Sequence, residues 1–426
     1  MRGFISTIIL MLAMVGSLPL RAEEVPLAQP LPPSTNPPTP PSTPEQQKLL
    51  QSWEAFCETL KKQGQQIIAF DTGAPIDSAE GFHYLAMLSA LTIERVQFSQ
   101  NVTYPVLVRA IDQHKKVGLD SPDNKYYMTR FDPEGEYVIK GRRGSVPYLG
   151  FQFNIDGRAV ANLNHSQMVF EDDGTFELYL TREQQGQNWL ALPEGTNGLY
   201  VREIFTKWDA QTPSTMWLER VDETPPAKQL TADDLAKEFA TMGEKISRDI
   251  VFWQKYVARN KQRAYNTISV PRDTSAQGGS PDNLYSGGYF DLKADEALLI
   301  ELTPVEAAYW AAQLGNIWFQ SLDYQHAQTS LNSEQIILDK DGKLRLIVAH
   351  QDPGYANWLD TNGRQEGVIY MRWNRAKTKP EAIATRVVKI AELEKYMPAN
   401  AARVTAEARA QVMDKRYRAV ARRFAE

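Results

Sequence analysis

Hydrophobic residues follow two different spacings along the chain, and the change of spacing divides it into helical and β-rich stretches. After residue 45 they recur every three or four positions, as at Leu49, Trp53, Phe56 and Leu60. This spacing stacks them on one face of a helix. Thr43 precedes the run as an N-cap, Pro44 takes the first helical position and Gln46 completes a capping box. The pattern therefore predicts a helix that begins at residue 44.

The same periodicity predicts helices over three further stretches, residues 78–96, 105–115 and 229–262. The first two complete a helical N-terminal region over residues 45–120. The third is capped by Thr231 and connects two β-rich stretches. Residues 403–424 are predicted to form a basic amphipathic helix, with Val404, Val412, Val420 and Phe424 opposite Arg409, Lys415, Arg416, Arg418, Arg422 and Arg423. A solvated basic face is the favoured interpretation, and contact with an anionic membrane surface or an acidic partner is the alternative.

Residues 121–224 and 280–393 show short runs of alternating apolar and polar residues, punctuated by Gly, Asp and Asn. Such a pattern is typical of antiparallel strands joined by tight turns. The clearest predicted strands cover residues 137–139, 148–153, 176–180 and 199–205.

The two β-rich stretches repeat each other. Five landmarks recur in the same order: Pro122-Asp123-Asn124 with Tyr126 as Pro281-Asp282-Asn283 with Tyr285, Tyr148 and Gln152 as Tyr309 and Gln313, Asp173-Gly174 as Asp341-Gly342, Asn188-Trp189-Leu190 as Asn357-Trp358-Leu359, and Arg202 as Arg372. Shared order and nearly equal spacing indicate duplication of one module of sandwich-domain size. The predicted fold class is α+β, with two repeated antiparallel β-sandwich modules and N-terminal, central and C-terminal helices. Because turn residues and buried aromatics usually serve packing, a structural role is favoured for every landmark.

The N-terminus predicts export. Residues 1–22 have the positive start, the apolar run of about 15 residues and the small-residue end of a cleaved signal peptide. Residues 23–44 form a proline-rich linker, because proline excludes both helix and sheet. No later stretch is apolar enough to span a membrane. The predicted location is periplasmic or secreted.

Charge and cysteine content exclude several kinds of partner. A formal net charge of −5 gives no basic surface for nucleic acid. The single cysteine, Cys57, excludes an internal disulfide and a cysteine-built metal site, and it is interpreted as a small buried side chain on a helix face. No cofactor is predicted. No metal is predicted either, because the histidines have no compact ligand spacing.

The second module contains ionisable residues that the first lacks, and these suggest a site. The candidate ligand-binding residues are Asp323, Tyr324, His326, His350, Asp352, Asn357, Asp360 and Arg372. A histidine beside a carboxylate can transfer protons near neutral pH, and an arginine can hold an anionic group. A hydrogen-bonded histidine beside a loop is the simpler interpretation of His326 and His350. No catalytic residue is assigned.

Aromatic side chains could instead form a platform for sugars, since a flat ring matches the apolar face of a pyranose. The candidates are Trp318, Phe319, Tyr324, Tyr355 and Trp373, although core packing is favoured for each one singly. The sequence contains no Gly-x-Ser-x-Gly elbow, no phosphate-binding glycine loop and no His-Glu-x-x-His motif. Dispersed carboxylates can still support hydrolysis, so the question of catalysis stays open.

The chain resembles the bacterial family of unknown function numbered twelve-fourteen. The segments that carry the resemblance are Tyr309-Trp310, Ser321-Leu322-Asp323-Tyr324, Asp352-Pro353-Gly354, Asn357-Trp358-Leu359-Asp360-Thr361 and Arg372-Trp373. The resemblance implies a β-sandwich and supplies no settled activity or catalytic residue.

Three functional hypotheses follow. The leading one is an exported soluble protein that binds a carbohydrate-like or other small polar ligand through its second module. The first alternative is a hydrolase or lyase that uses His and Asp for acid–base chemistry in that module. The second is an envelope interaction protein whose linker and basic helix make peripheral contacts.

Overall fold

The computed structural model describes residues 41–70, 73–98, 102–155, 157–223, 226, 229–381 and 383–425. The predicted signal peptide and nearly all of the proline-rich linker lie outside the described residues. The described helices are α1 (Pro44–Ala69), α2 (Pro75–Phe98), α3 (Ala232–Arg263) and α4 (Ala406–Phe424). Nowhere in this described part is a helix long and apolar enough to cross a bilayer.

The helices begin where their capping residues predict. Thr43 accepts a hydrogen bond from the Gln46 backbone, and the Gln46 side chain accepts one from the Thr43 backbone, so the capping box is confirmed. Thr231 accepts from the Asp234 backbone at the start of α3. Each cap satisfies an amide that the first helical turn leaves without a partner.

Module one consists of β1 (Val108–Ile111), β2 (Asn124–Arg130), β3 (Tyr137–Arg142), β4 (Tyr148–Ile155), β5 (Arg158–Asn164), β6 (Thr175–Leu180), β7 (Gly198–Ile204) and β8 (Thr215–Arg220). One sheet has the order β1-β2-β7-β4-β5 and the other β6-β3-β8. Their facing side chains, among them Phe151, Phe153 and Leu178, form a fully buried core.

Module two follows the short strand β9 (Thr267–Ile268) and consists of β10 (Asn283–Asp291), β11 (Glu296–Leu302), β12 (Tyr309–Gly315), β13 (Ser330–Asn332), β14 (Leu344–Ala349), β15 (Trp358–Asp360), β16 (Glu366–Asn374) and β17 (Ala384–Lys389). Its sheets have the orders β10-β16-β12-β13 and β15-β14-β11-β17. Apart from β15, which runs parallel to β14, the strand pairs are antiparallel.

The duplication is confirmed by the strand order and by matching contacts. The order β2-β7-β4-β5 of module one corresponds to β10-β16-β12-β13 of module two. Asn188 and Asn357 occupy equivalent turns, where their side-chain oxygens accept from the Val169 and Ile337 backbones at 2.7 and 3.0 Å. Trp189 also bonds to a strand carbonyl in the way that its counterpart Trp358 does.

The modules exchange contacts reciprocally across their interface. The Tyr309 hydroxyl of module two donates to Asp123 of module one at 2.6 Å. The Tyr148 hydroxyl of module one donates to Asp282 of module two at 2.7 Å. Each aspartate belongs to the recurring Pro-Asp-Asn landmark, and each tyrosine belongs to the next landmark. The repeated residues therefore hold the two copies together.

Helix α3 lies across both modules. Its first half packs with α1 and α2 on β1 and β2, where Ile246 and Ile250 share a core with Tyr126. Its second half reaches module two, where the Tyr256 and Tyr370 hydroxyls lie 2.8 Å apart. A helix of 32 residues spans about 48 Å, enough to bridge two sandwiches.

Two sequence predictions are wrong in this region. The helix predicted over residues 105–115 is replaced by strand β1, which pairs with β2 through Val108 and Ile111. β-Branched residues fit an edge strand as well as a helix, and the available partner strand decides between them. Cys57 is exposed on α1 rather than buried, because the buried face of that turn is taken by Phe56.

Helix α4 exposes Lys415, Arg418 and Arg422 as predicted, but the other three basic residues of its predicted solvent face are turned inward. Arg409, Arg416 and Arg423 are buried, whereas Val412 is 37% exposed. A spacing of seven residues places the three arginines on one side of the helix. Their guanidinium groups lie over the rings of Trp358 (Arg409) and Trp208 (Arg416 and Arg423). Burial of the charges is offset by these rings and by hydrogen bonds to backbone carbonyls.

Candidate functional site

The predicted site residues of module two lie in three settings. His350, Asp352 and Asp360 lie where β14 and β15 end, because Ala349, the last residue of β14, is paired with Asp360 at the end of β15. We call these three residues the polar group of module two. Asp323, Tyr324 and His326 belong to the segment before β13, and Arg372 and Asn357 occupy the landmark positions described above.

The polar group is engaged mainly by the protein itself. His350 Nε2 lies 2.9 Å from the Leu292 carbonyl oxygen, and Nδ1 lies 2.7 Å from the Thr361 hydroxyl. Asp352 pairs with Arg409 at 2.9 Å. Both histidine nitrogens therefore have partners within the protein.

The Asp360 carboxyl of this group has a raised pKa. Burial raises the pKa of its carboxyl above the ordinary value, and the nearby Asp352 carboxylate raises it further. One oxygen accepts from the Asn362 backbone at 2.7 Å. A half-buried carboxyl with a raised pKa can donate a proton, which is the chemistry that the enzyme hypothesis requires.

The segment before β13 divides into an exposed pair and a buried ring. His326 Nδ1 lies 2.9 Å from an Asp323 oxygen on the surface. Tyr324 is buried between Trp208 and the ammonium group of Lys116, which lies 4.7 Å from its ring centre. The ring therefore fills the module interface. A surface His–Asp pair alone forms no cavity.

Arg372 and Asn357 have structural partners. Arg372 is buried between the modules and donates to the Leu119 carbonyl at 3.2 Å. Asn357 holds a turn through the Ile337 backbone, as Asn188 does in module one. The five aromatic residues proposed as a sugar platform are all buried, so core packing is confirmed for Trp318, Phe319, Tyr324, Tyr355 and Trp373.

A cavity that the sequence did not predict lies where the helices meet module one. We call it the helix–sheet cavity. It has a volume of about 160 Å³ and is lined by Glu94, Arg95, Val96, Val106, Val108, Ala110, Met128, Thr129, Arg130 and Lys245. These residues come from the end of α2, the approach to β1, strands β1 and β2, and the middle of α3.

Three of the lining residues form a cation cluster: Arg95, Arg130 and Lys245. Partial burial lowers the pKa of Lys245, and the neighbouring cations Arg130 and Arg248 lower it further. Burial and Arg95 likewise lower the pKa of Arg130. Arg95 and Lys245 are half-buried and Arg130 is exposed, so water screens the repulsion among the three cations only in part, and an anion between them would be stabilised.

Among the described residues the cation cluster makes no direct ion pair, and the carboxylate that acts on Lys245, Asp249, is paired with Arg248 at 3.4 Å. Within the described part of the chain, the side chains of Arg95, Arg130 and Lys245 form no ion pair, and the Nε atom of Arg95 is buried without a hydrogen-bond partner. Glu94, the carboxylate of the lining, pairs with Lys115 at 2.5 Å. The unpaired cations therefore leave the cavity with a positive potential.

Sequence reasoning missed this site because its residues are far apart in the chain. The available signal was slight: Arg95 interrupts the apolar second half of α2. In the sequence, Arg130 resembles any polar residue at the end of a strand, and Lys245 resembles any polar residue on a helix. Among the described residues, His, Cys, Asp and Glu nowhere form a group of three placed to hold a metal ion.

The comparisons with known proteins agree with the duplicated fold. A family model for "Protein of unknown function (DUF1214)" matches residues 152–205 and 291–378, one segment in each module. The solved structure of an uncharacterized protein from Burkholderia cenocepacia is 33% identical, with a TM-score of 0.76 over 81% of this chain and 99% of that chain. The VPA0106 protein from Vibrio parahaemolyticus is 13% identical, with a TM-score of 0.39 over 71% of this chain and 100% of that chain. No curated protein matches the chain.

Proposed function

Because the chain belongs to the DUF1214 family, whose function is unknown, we propose a function from its geometry: it binds a small anionic ligand in the helix–sheet cavity. This proposal keeps the ligand binding predicted from the sequence but assigns it to module one and its helices. The observation that carries it is the cation cluster, three basic side chains around one cavity that form no ion pair with any described residue.

The electrostatics favour binding over structural pairing. An isolated buried cation is normally paired, because removing it from water without compensation is unfavourable. Elsewhere in this protein buried arginine side chains have either a carboxylate partner, as Arg345 has in Asp339 at 2.7 Å, or carbonyl and ring partners, as Arg416 has in Tyr324 and Trp208. Among the described residues, the cation cluster has neither kind of partner. A bound anion would supply the missing partner.

A thermal-shift titration with acetate, sulfate and phosphate at low ionic strength tests the proposal. A ligand that binds the folded state raises Tm with concentration, and added salt screens the effect. The wild type should be stabilised, and Lys245→Glu should lose the response. Lys237→Glu is the matched control, because Lys237 is exposed on the same helix and outside the cavity. Equal loss of response in both variants would indicate only a change of net charge and would overturn the proposal.

A second candidate function is the acid–base chemistry, or binding of a polar carbohydrate-like ligand, at the polar group of module two. The observation that favours it is the raised pKa of Asp360 beside Asp352. A screen of glycans and ester substrates should show stabilisation or turnover that Asp360→Asn removes without unfolding the protein. If the wild type responds to no compound in the screen, this candidate is excluded for those classes.

We also propose a periplasmic or secreted location, supported by the signal-peptide pattern of residues 1–22. Expression of the whole chain in a bacterium, followed by cell fractionation and mass determination, tests it. The expected product lies outside the cytoplasm and starts near residue 23. A full-length product in the cytoplasm would contradict the proposal.

A further inference from the structure

We infer that the anion of the helix–sheet cavity is amphipathic: a carboxylate attached to a short linear hydrocarbon chain. This inference rests on the proposed function and adds the chemical class of the ligand. It follows from the other half of the cavity lining, which is apolar.

The apolar wall of the cavity has no polar side chain that could bind a small hydrophilic anion. It consists of Val96, Val106, Val108, Ala110 and Met128. Val96 and Ala110 are buried and form its inner part, whereas Val106 is 51% exposed and stands at the opening. A sulfate or acetate ion bound by the cations would leave this apolar wall exposed to water. A hydrocarbon chain would cover it.

The cations stand on the α2, β2 and α3 sides of the cavity, and the apolar side chains come mainly from β1 and its approach. This separation of charge and apolar surface matches a molecule with a charged head and an apolar tail. Glu94 would attract a cationic head only weakly, since Lys115 neutralises its carboxylate. The charge complementarity therefore selects an anionic head.

The size of the cavity limits the length of the chain. A volume of about 160 Å³ compares with about 30 Å³ for one water in the liquid, so the cavity admits roughly five groups of methylene size. Each methylene buried against the wall should tighten binding about three- to fourfold. Affinity should therefore rise along a carboxylate series and level off at roughly six carbons, where the chain reaches solvent.

Calorimetric titration of the whole protein with linear carboxylates from acetate to decanoate tests this inference. The expected result is a rise in affinity of about three- to fourfold per methylene up to roughly six carbons. Octanol and octylamine, which carry the same chain with no charge or a positive charge, should bind at least tenfold more weakly than octanoate. Vesicles of phosphatidylglycerol distinguish a free carboxylate from a lipid headgroup: octanoate should bind while the vesicles retain no protein.

Two variants at exposed valines test whether the apolar wall contributes to octanoate binding in addition to the cation cluster. Val106→Asp should weaken octanoate binding at least tenfold and leave folding intact, because Val106 is exposed at the opening. Val160→Asp, at a 42% exposed position on β5, should bind octanoate as the wild type does. If acetate and octanoate bind equally and Lys245→Glu abolishes both, the amphipathic ligand is disproved and anion binding stands. If neither acetate nor octanoate binds, both proposals fail. If the vesicles retain the protein, the ligand is a lipid headgroup and the inference of a free carboxylate is wrong.

Discussion

The landmark residues of this protein are the partners of buried polar groups. Asp123 is 1% exposed, and its carboxylate accepts from Tyr309, Trp208 and Asn332, each at 2.6 Å. Its counterpart Asp282 is only half-buried. Duplication therefore produced the same bond in two environments, one without water and one beside it.

This difference predicts unequal effects of the same substitution. Tyr309→Phe should lower the free energy of unfolding by about 2 to 3 kcal/mol, because buried Asp123 loses a donor that water cannot replace. Tyr148→Phe should lower it by about 1 kcal/mol or less, because water can reach Asp282. Urea unfolding of both variants measures the difference. Equal losses would mean that solvent reaches both aspartates alike.

Glu203 predicts a pH dependence of stability. It is fully buried on β7, and burial raises its pKa from the ordinary 4.5 to about 7. The folded state therefore holds the proton more tightly than the unfolded state. The stabilisation is complete below about pH 4.5 and is lost as the pH rises to about 7, a decrease of about 3 kcal/mol at most.

Urea unfolding between pH 4.5 and 8 should show this decrease in the wild type. Glu203→Gln should remove most of it and be the more stable protein at pH 8, because a neutral amide retains the hydrogen bond from the Ser214 backbone. A variant with the wild-type pH profile would assign the dependence to other groups.

Among the elements, α4 joins the two modules through buried arginines. Arg416 stacks 4.5 Å from the Trp208 ring centre in module one and donates to the Tyr324 carbonyl and the Ser330 hydroxyl in module two. Arginine suits this position because its planar group stacks and donates at the same time. The helix is therefore part of the core rather than a solvated tail.

Arg416→Ala should lower the free energy of unfolding by about 3 kcal/mol, since it removes the stacking and leaves two buried acceptors without a donor. Arg418→Ala is the matched control on the same helix. Its side chain is 75% exposed, so its loss should change stability by less than about 0.5 kcal/mol. Thermal or urea unfolding compares them, and similar losses would contradict a buried role for Arg416.

The whole molecule should unfold as one unit although it contains two modules. The reciprocal bonds of Tyr148 and Tyr309, the span of α3 and the contacts of α4 all cross the interface. A module separated from its copy would leave buried polar groups without partners. Scanning calorimetry should therefore give a single transition whose calorimetric and van 't Hoff enthalpies agree. Two resolved transitions would show that the modules are independent.

Local patterns in the sequence determined the secondary structure and the duplication. Thr43 and Thr231 specify helix starts through bonds to amides three residues away, and the paired turns of Asn188 and Asn357 recur because each contains its own partners. The helix caps depend on neighbours three residues away, and the asparagine turns on partners 19 and 20 residues away within the same module. They can be read from one sequence, and the family resemblance agreed with them.

Tertiary structure alone decided where the charges lie. The segment predicted as a third helix became β1 because β2 was available to pair. Arg409, Arg416 and Arg423 of α4 face inward because tryptophan rings and backbone carbonyls there contact their guanidinium groups. The cation cluster combines residues 95, 130 and 245, which only the packing of α2 and α3 on β2 brings together. A ligand site of this kind depends on distances between remote segments, and no periodicity along the chain encodes those distances.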